Sequence, residues 1–590
     1  MKSSYYIVVL FLLFVSFSSC NENQKANSAD VVILYTTDVH GAVLPYDFNR
    51  KRPAKSSLAN ASTYIKEVKQ EYGKKNVLLF DGGDLYQGTP AMYYYNYRAA
   101  KKRHIVSDII NYLGYNALVY GNHDMEVGEE AMDKINKELV APRLAGNVTD
   151  SRSNRSMFRS YKIFNVDGFK IALFGIITPE TYAQVPKGFI PHMEFNSMLE
   201  SSKKWLAQIK KNQEIDYVVG ILHTGLTNID LVNGTDTIHG GIDYFAKYYK
   251  EADLLLLAHD HQVTQKTIYT ETGDSIILLQ PGAEGEDIGR VNISFHRNGD
   301  KLEKTSTTEI IHLKDIEIDQ EYLDRFGCAV DTVNNFLDHD LGILDEELDL
   351  TNSLFKQTNS MDFIHEVQLR ITNADISLSP ALSTFRNLPE GPITLRTLFT
   401  LYKYDNQICK MWMSGHDIKN YLEYGYARQF ASMNDNHGHL LAFKYDKDGK
   451  MLVGRWGPEL VVPQYNYSSA AGINYVVDLT KPSGDRVSIL SLADGSPFDY
   501  DRTYTVAINS FQAAGGGGFI TKGLKWTKED IAYHTFSESQ YTFAYYLSGY
   551  ISTRKNVKTK PIGTWKVIPE SFVESVGPKD VEMLLPYIAK

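Results

Sequence analysis

From Val31 onward, short β-branched and apolar runs alternate with polar stretches of helical period. The runs are VVILYTT (31–37), NVLLF (76–80), NALVY (116–120), KIALFGII (170–177), YVVGILH (217–223) and ADLLLLAH (252–259). A continuous apolar run of this length predicts a strand buried on both faces, as in a layered α/β sheet. Between Ser56 and Tyr72, and again between Glu129 and Leu139, the period is helical. This pattern runs out near Glu309, and residues 31–315 read as one layered α/β domain. Residues 316–349 are charged and periodic, which predicts a connecting helical segment. A second α/β pattern occupies 350–590, with an Asp/Gly-rich turn region at 445–457 and four glycines at Gly515–Gly518.

Two domains agree with size, since 590 residues exceed what one core supports. A chain that is 43% hydrophobic and 22% charged is not disordered. Net charge is −10, and the basic runs at Arg50–Arg52 and Lys101–Arg103 are short, so a nucleic-acid polymer has no electrostatic footprint. Small anionic substrates stay open, because the field of a metal site outweighs net charge locally.

The N-terminus reads as a targeting segment. Lys2 precedes an apolar stretch from Tyr5 to Phe17, too short to span a membrane, which ends in Ser18-Ser19-Cys20. Small residues before a cysteine resemble a bacterial lipoprotein signal, with residues 1–20 as signal, Cys20 lipidated and 21–30 a polar tether. The expectation is export to the periplasm or outer surface, with the membrane touched only through that anchor. Cys328 and Cys409, far apart, do not make a disulfide framework.

Several apolar runs end on metal-ligand residue types. They lead into Asp38-Val39-His40, Asp81-Gly82-Gly83-Asp84, Gly121-Asn122-His123-Asp124, His223 and His259-Asp260-His261. Sites in open α/β sheets form beyond the carboxyl ends of the strands, so residues distant in sequence reach one crevice. Singly, each motif reads equally well as a turn or a packed histidine. Five strand ends of this kind point to a metal site.

DVHG (38–41), GGDLYQG (82–88), GNHD (121–124), LHTG (222–225) and HDH (259–261) resemble the ordered motifs of calcineurin-like metallophosphoesterases. With NSFQAAGGGGF (509–519) in the second domain, the chain resembles the 5′-nucleotidase family, which includes UDP-sugar hydrolases and 2′,3′-cyclic phosphodiesterases. The resemblance implies one cation held by Asp38, His40, Asp84 and His261, and another by Asp84, Asn122, His223 and His259. Mixed imidazole and oxygen donors suit Mn, Zn, Fe or Co. Two such cations would bind phosphoryl oxygens and activate a bridging water for attack on phosphorus. His123 is implied as the residue serving the transition state or leaving group, assisted by Glu126, where the family usually shows Asp.

The resemblance further implies that the second domain stacks a base between Tyr404 (in LYKYDNQ, 401–407) and Phe519. One departure stands out: the family's phosphate-binding arginine should fall near DISLSPALS (375–383), which contains none. Arg386 and Arg396 lie nearby but off register. The expected activity is release of phosphate from a small-molecule nucleotide or related phosphoester. The alternatives are a phosphoesterase or nucleotide-sugar hydrolase with another substrate, and a non-catalytic nucleotide-binding lipoprotein. Oligomeric state is not legible.

Overall fold

Along the strand Ser28–Thr36, Val31, Ile33 and Tyr35 face one apolar layer while Val32 and Leu34 face another, and all five are buried. That double burial is what the unbroken apolar run predicts. In this computed structural model, residues 27–588 are described except 186, 213, 227–241, 300, 385, 403, 405, 434–437, 455 and 456. The signal segment and Cys20 therefore lie outside the described residues.

The first domain is a sandwich of two six-stranded sheets. One sheet runs in the order Lys301–His312, Asp287–Asn298, Ser28–Thr36, Val77–Asp81, Ala117–Val119, Arg143–Leu144, its last four strands parallel. The other runs Val263–Tyr269, Ser275–Pro281, Leu254–Leu257, Tyr217–His223, Phe169–Ile177, Tyr161–Val166, parallel at its centre. Between them lies a layer that includes Tyr35, Phe80, Val119, Leu173, Val219, Ile221 and Leu256. Each such aliphatic side chain contributes about 1.5–3 kcal/mol on burial, so the layer clamps the two sheets face to face. Helices Leu58–Tyr72 and Ile105–Leu113 cover the outer face of the first sheet, and Met198–Asn212 and Ile242–Tyr248 that of the second. Ser57 caps the first of these helices by accepting from the Ala59 N–H.

The connecting segment is helical over Gln320–Phe326 and Cys328–Leu337. It packs on the first domain: Asn60 donates to the Ile316 carbonyl at 2.8 Å, and Lys66 pairs with Asp319 and Glu321. Its remaining part departs from the helical expectation. Asp340–Leu344 is a strand between Gly391–Thr394 and Asn556–Val557, which ties residues before 350 to the second domain. A five-stranded sheet in the order Ser468–Ala471, Ile376–Pro380, Thr503–Asn509, Ile408–Ser414, Thr535–Glu538 forms the centre of that domain. Buried Arg396 sits at the junction: its guanidinium pairs with Asp338 at 2.8 Å and donates to the carbonyl of Phe48 in the first domain. That contact makes Arg396 a structural tie, while Arg386 is exposed.

Candidate metal centre and the cleft above it

The parallel strands deliver their carboxyl-end residues to one place. Asp38, His40 and His261 form one cluster and Asp84, His223 and His259 another, the ligand atoms of each lying within 4.8 Å of one another. Asn122 joins the second: its Oδ1 is 3.1 Å from His223 Nε2 and 2.9 Å from His259 Nδ1. Asp84 Oδ2 faces both, 3.2 Å from His223 Nε2 and 3.9 Å from His40 Nε2. The seven residues read as ligands from the sequence thus converge.

The backbone is bent to achieve this. Asp38, His40, Asp84, His259 and His261 all adopt positive φ, an uncommon conformation for residues with a side chain. Hydrogen bonds hold the turns: the His259 N–H donates to Asp38, the His40 N–H to the Asp84 carbonyl, and the Asp38 N–H to the Gly83 carbonyl. Gly121 is required for closeness, because a Cβ there would lie 2.1 Å from Asp84 Oδ1. Asp124 of the same GNHD motif is a hub the sequence reading left without a role. Its buried carboxylate accepts backbone N–H bonds from Asp84, Leu85, Tyr86 and Gly121. Arg143 balances that charge at 2.9 Å, buried with its guanidinium 3.6 Å from the Tyr120 ring centroid. Asp260, the middle residue of HDH, braces its own loop by accepting from Gln280 and the Leu226 N–H.

The donor set fits divalent cations. His40 Nε2 and His261 Nε2 face each other at 3.0 Å, two imidazole nitrogens directed at one spot. Burial holds His40 down at about 3, the neutral form a metal requires. Burial also pushes the Asp38 carboxyl up despite the nearby His223 and His261, so the cluster is short of positive charge. Asp38, His40 and His261 would hold one cation and Asn122, His223 and His259 the other, with Asp84 placed to serve both. Such a pair supplies Lewis-acid neutralisation of a phosphoryl group and a water of lowered pKa.

His123 belongs to neither cluster. Its ring lies 5.3 Å from that of His40, and its backbone N–H donates to Asp84 Oδ1 at 2.8 Å. Glu126 Oε1 stands 3.0 Å from His123 Nδ1, an ionic contact. The i,i+3 spacing that brings them together comes from a turn, with the Glu126 N–H on the His123 carbonyl. Burial alone lowers His123, but the carboxylates of Glu126 and Asp84 outweigh it and raise the ring to about 10. Cations on Asp84 would withdraw part of that pull.

The two aromatics of the second domain are not brought together. Tyr404 is half-buried, with Tyr465 as ring neighbour at 6.2 Å. Its hydroxyl is pushed up to about 12 by burial and by the charges of Glu284 and Glu126, both from the first domain. Tyr404 therefore lies on the side of the second domain that faces Glu126 and Glu284. Phe519 corrects the expectation of a clamp: it is 2% exposed and stacked on Tyr421 at 4.5 Å, with Tyr424 at its edge. Its ring is part of the second domain's core.

Other side chains here were missed by sequence reasoning. Glu180 follows the strand Phe169–Ile177 and lies 3.7 Å from His259 Nε2, so the strand-end rule could have found it. Glu284, whose N–H bonds the Asp38 carbonyl, sits in a turn with no comparable signal.

Comparison with known proteins points to a family. Residues 31–263 match the calcineurin-like phosphoesterase family, and 336–523 match the 5′-nucleotidase C-terminal domain. A Bacillus subtilis trifunctional nucleotide phosphoesterase is 23% identical over 96% of this chain, which spans only 41% of that longer protein. A Yersinia enterocolitica 2′,3′-cyclic-nucleotide 2′-phosphodiesterase/3′-nucleotidase is 23% identical, covering 94% of this chain and 90% of its own length. In fold, a Staphylococcus aureus crystal structure described as a 5′-nucleotidase in complex with α-ketoglutarate superposes with a TM-score of 0.74 at 21% identity, covering 91% of this chain and all of that one. Sheet sandwich, convergent ligand clusters and the paired domain matches together place the chain in the 5′-nucleotidase family of metallophosphoesterases, as a hydrolase of phosphoric esters.

Proposed function

We propose that this protein releases phosphate from 5′-nucleotides or opens and hydrolyses 2′,3′-cyclic nucleotides. The phosphoryl group occupies the centre built by Asp38, His40, Asp84, Asn122, His223, His259 and His261, held by two cations drawn from Mn, Zn, Fe or Co. His123, oriented by Glu126, serves the departing oxygen. The observation that carries the nucleotide part is the match of residues 336–523, Tyr404 among them, to the 5′-nucleotidase C-terminal domain, joined to a phosphoesterase domain that holds the ligand clusters. A substrate with phosphate at one end and a flat ring at the other spans that arrangement. The buried position of Phe519 favours a second reading, a phosphoester lacking a base, because it removes one expected wall of the base site.

A phosphate-release screen over 5′-nucleotides, 2′,3′-cyclic nucleotides, nucleotide sugars and p-nitrophenyl phosphate separates the two. Nucleotides are expected to give the higher kcat/KM. Tyr404→Ala should raise their KM by roughly tenfold, from a lost stack of about 1–3 kcal/mol, and leave p-nitrophenyl phosphate unchanged. Phe519→Ala should instead lower Tm, the result of a core cavity costing about 3–5 kcal/mol. Equal kcat/KM on all esters, with Tyr404→Ala silent, would establish the baseless substrate.

We also propose that the protein works outside the cytoplasm, tethered through Cys20. The SSC sequence after an apolar stretch supports this. Cell fractionation should find it with membranes, and Cys20→Ala should free it; recovery of the unaltered protein from the cytoplasm would refute the placement.

A further inference from the structure

Residues 178–185 and 187–190 follow the strand Phe169–Ile177 and form a strap between the domains. The start is pinned locally: the Thr181 hydroxyl donates to the Thr178 carbonyl at 2.7 Å, and Thr181, Val185 and Ile190 are buried. Beyond its packing on the first domain, the strap also reaches the active centre and the second domain. Glu180 Oε2 is 3.7 Å from Nε2 of His259. The Tyr182 ring lies under Lys528 Nζ at 4.3 Å, from the helix Lys528–His534 of the second domain. The helix Thr181–Gln184 packs on Ser510–Ala513, at the start of the glycine loop. Gly188 has the Glu538 carboxylate against it, since a Cβ there would come within 3.2 Å of Oε2. Phe189 lies against Gly128, just beyond the His123–Glu126 turn.

His259 has two ring nitrogens with different surroundings. Nδ1 is turned to Asn122 Oδ1 at 2.9 Å, hence toward the cluster with Asp84 and His223. Nε2 is turned outward, to Glu180. A ring nitrogen can offer a lone pair to a cation only if its proton sits on the other nitrogen, and a carboxylate beside that other nitrogen fixes it there.

We infer that Glu180 is a positioning residue for the second cation: its negative charge, 3.7 Å from Nε2 of His259, favours the proton on that nitrogen, leaves the Nδ1 lone pair facing Asn122, Asp84 and His223, and is itself held in place by the second domain through the contacts of Tyr182 and the helix Thr181–Gln184. Domain docking and cation affinity are thereby linked. If the second domain shifts, Tyr182 leaves Lys528, the strap relaxes, and His259 loses its outer partner. The cation served by Asp38, His40 and His261 is expected to be spared, because the contact of Glu180 is with His259.

This inference rests on reading Asp84, Asn122, His223 and His259 as one cation set, and the test separates the two. Full-length protein is stripped with chelator and titrated with Mn²⁺ or Zn²⁺, following bound metal per chain, with Tm recorded for each variant. Unaltered protein should take two cations. Glu180→Ala should weaken one of them by about 10–100-fold and leave the other as it was. Glu180→Gln, which keeps the side chain's shape and removes its charge, should weaken that cation about as much as Glu180→Ala. Lys528→Ala, remote from the metals, should weaken the same cation about two- to fivefold, in line with an exposed cation–π contact. Excess metal should restore turnover to Glu180→Ala, as expected if the residue acts only through His259. Two cations of unchanged affinity in Glu180→Ala would overturn the inference alone. Glu180→Gln with wild-type affinity for both cations would overturn the role given to the charge of Glu180. Fewer than two cations in unaltered protein would overturn the cation set and this inference with it.

Discussion

Asp84→Asn is expected to abolish phosphate release and to lower bound metal from two ions per chain to one or none. Asp84 Oδ2 is the only carboxylate oxygen within 4 Å of imidazoles from both clusters, at 3.2 Å from His223 and 3.9 Å from His40, among the described residues. Its other oxygen already accepts the His123 N–H. An amide keeps the shape but replaces a charged oxygen with either a neutral one or an NH₂ group, and the latter would point donors at the cations. Losing even an outer partner of a ligand typically costs about 10–100-fold in metal affinity, and losing a shared ligand should cost more. The change should be confined to the metals, because the fold of the loop rests on Asp124 and Arg143 rather than on Asp84's side chain. Metal analysis together with Tm tests this. Two tightly bound ions in an inactive, folded Asp84→Asn protein would show that the carboxylate does not bridge.

How far the sequence leads to this site depends on how local the signal is. Metal-ligand types at the ends of buried strands were legible because the strand run and its terminal Asp, Asn or His are adjacent in sequence, and the parallel sheets bring such ends together by rule. The same rule applied to Thr178-Pro179-Glu180 would have marked Glu180. Phe519 was illegible for the opposite reason. A phenylalanine after glycines looks alike whether its ring turns to a cleft or, as here, onto Tyr421, nearly a hundred residues away in the chain. Arg143 likewise ends no motif, and its place under Asp124 comes from the pairing of Arg143–Leu144 beside Ala117–Val119. The strand Asp340–Leu344 read as part of a helical segment because its partners, Gly391–Thr394 and Asn556–Val557, lie far along the chain, and strand preference follows such neighbours more than intrinsic propensity.

His123→Asn should separate chemistry from metal binding: bound metal stays at the wild-type level while kcat falls by about 10²–10⁴. The fall corresponds to about 2.7–5.5 kcal/mol of lost transition-state stabilisation. Metal should be retained because the contribution of His123 to Asp84 is made by its backbone N–H, which any residue at 123 supplies, and because its ring is in neither ligand cluster. Activity should fall because the ring neighbours His40 and is paired with a carboxylate outside the ligand set, Glu126 at 3.0 Å. That pairing keeps the proton on His123 available for an oxygen leaving the phosphoryl group. Glu126→Gln removes the charge but not the side-chain length, so its loss in kcat should be smaller than that of His123→Asn, and the double variant should fall no further than His123→Asn alone if the two act as one unit. An ester with a good leaving group needs little proton assistance, so p-nitrophenyl phosphate should lose less than a nucleotide in both variants. A parallel loss of metal would place His123 among the ligands, and equal losses on the two esters with metal retained would make it a stabiliser of the transition state and leave the leaving oxygen to be served by another group.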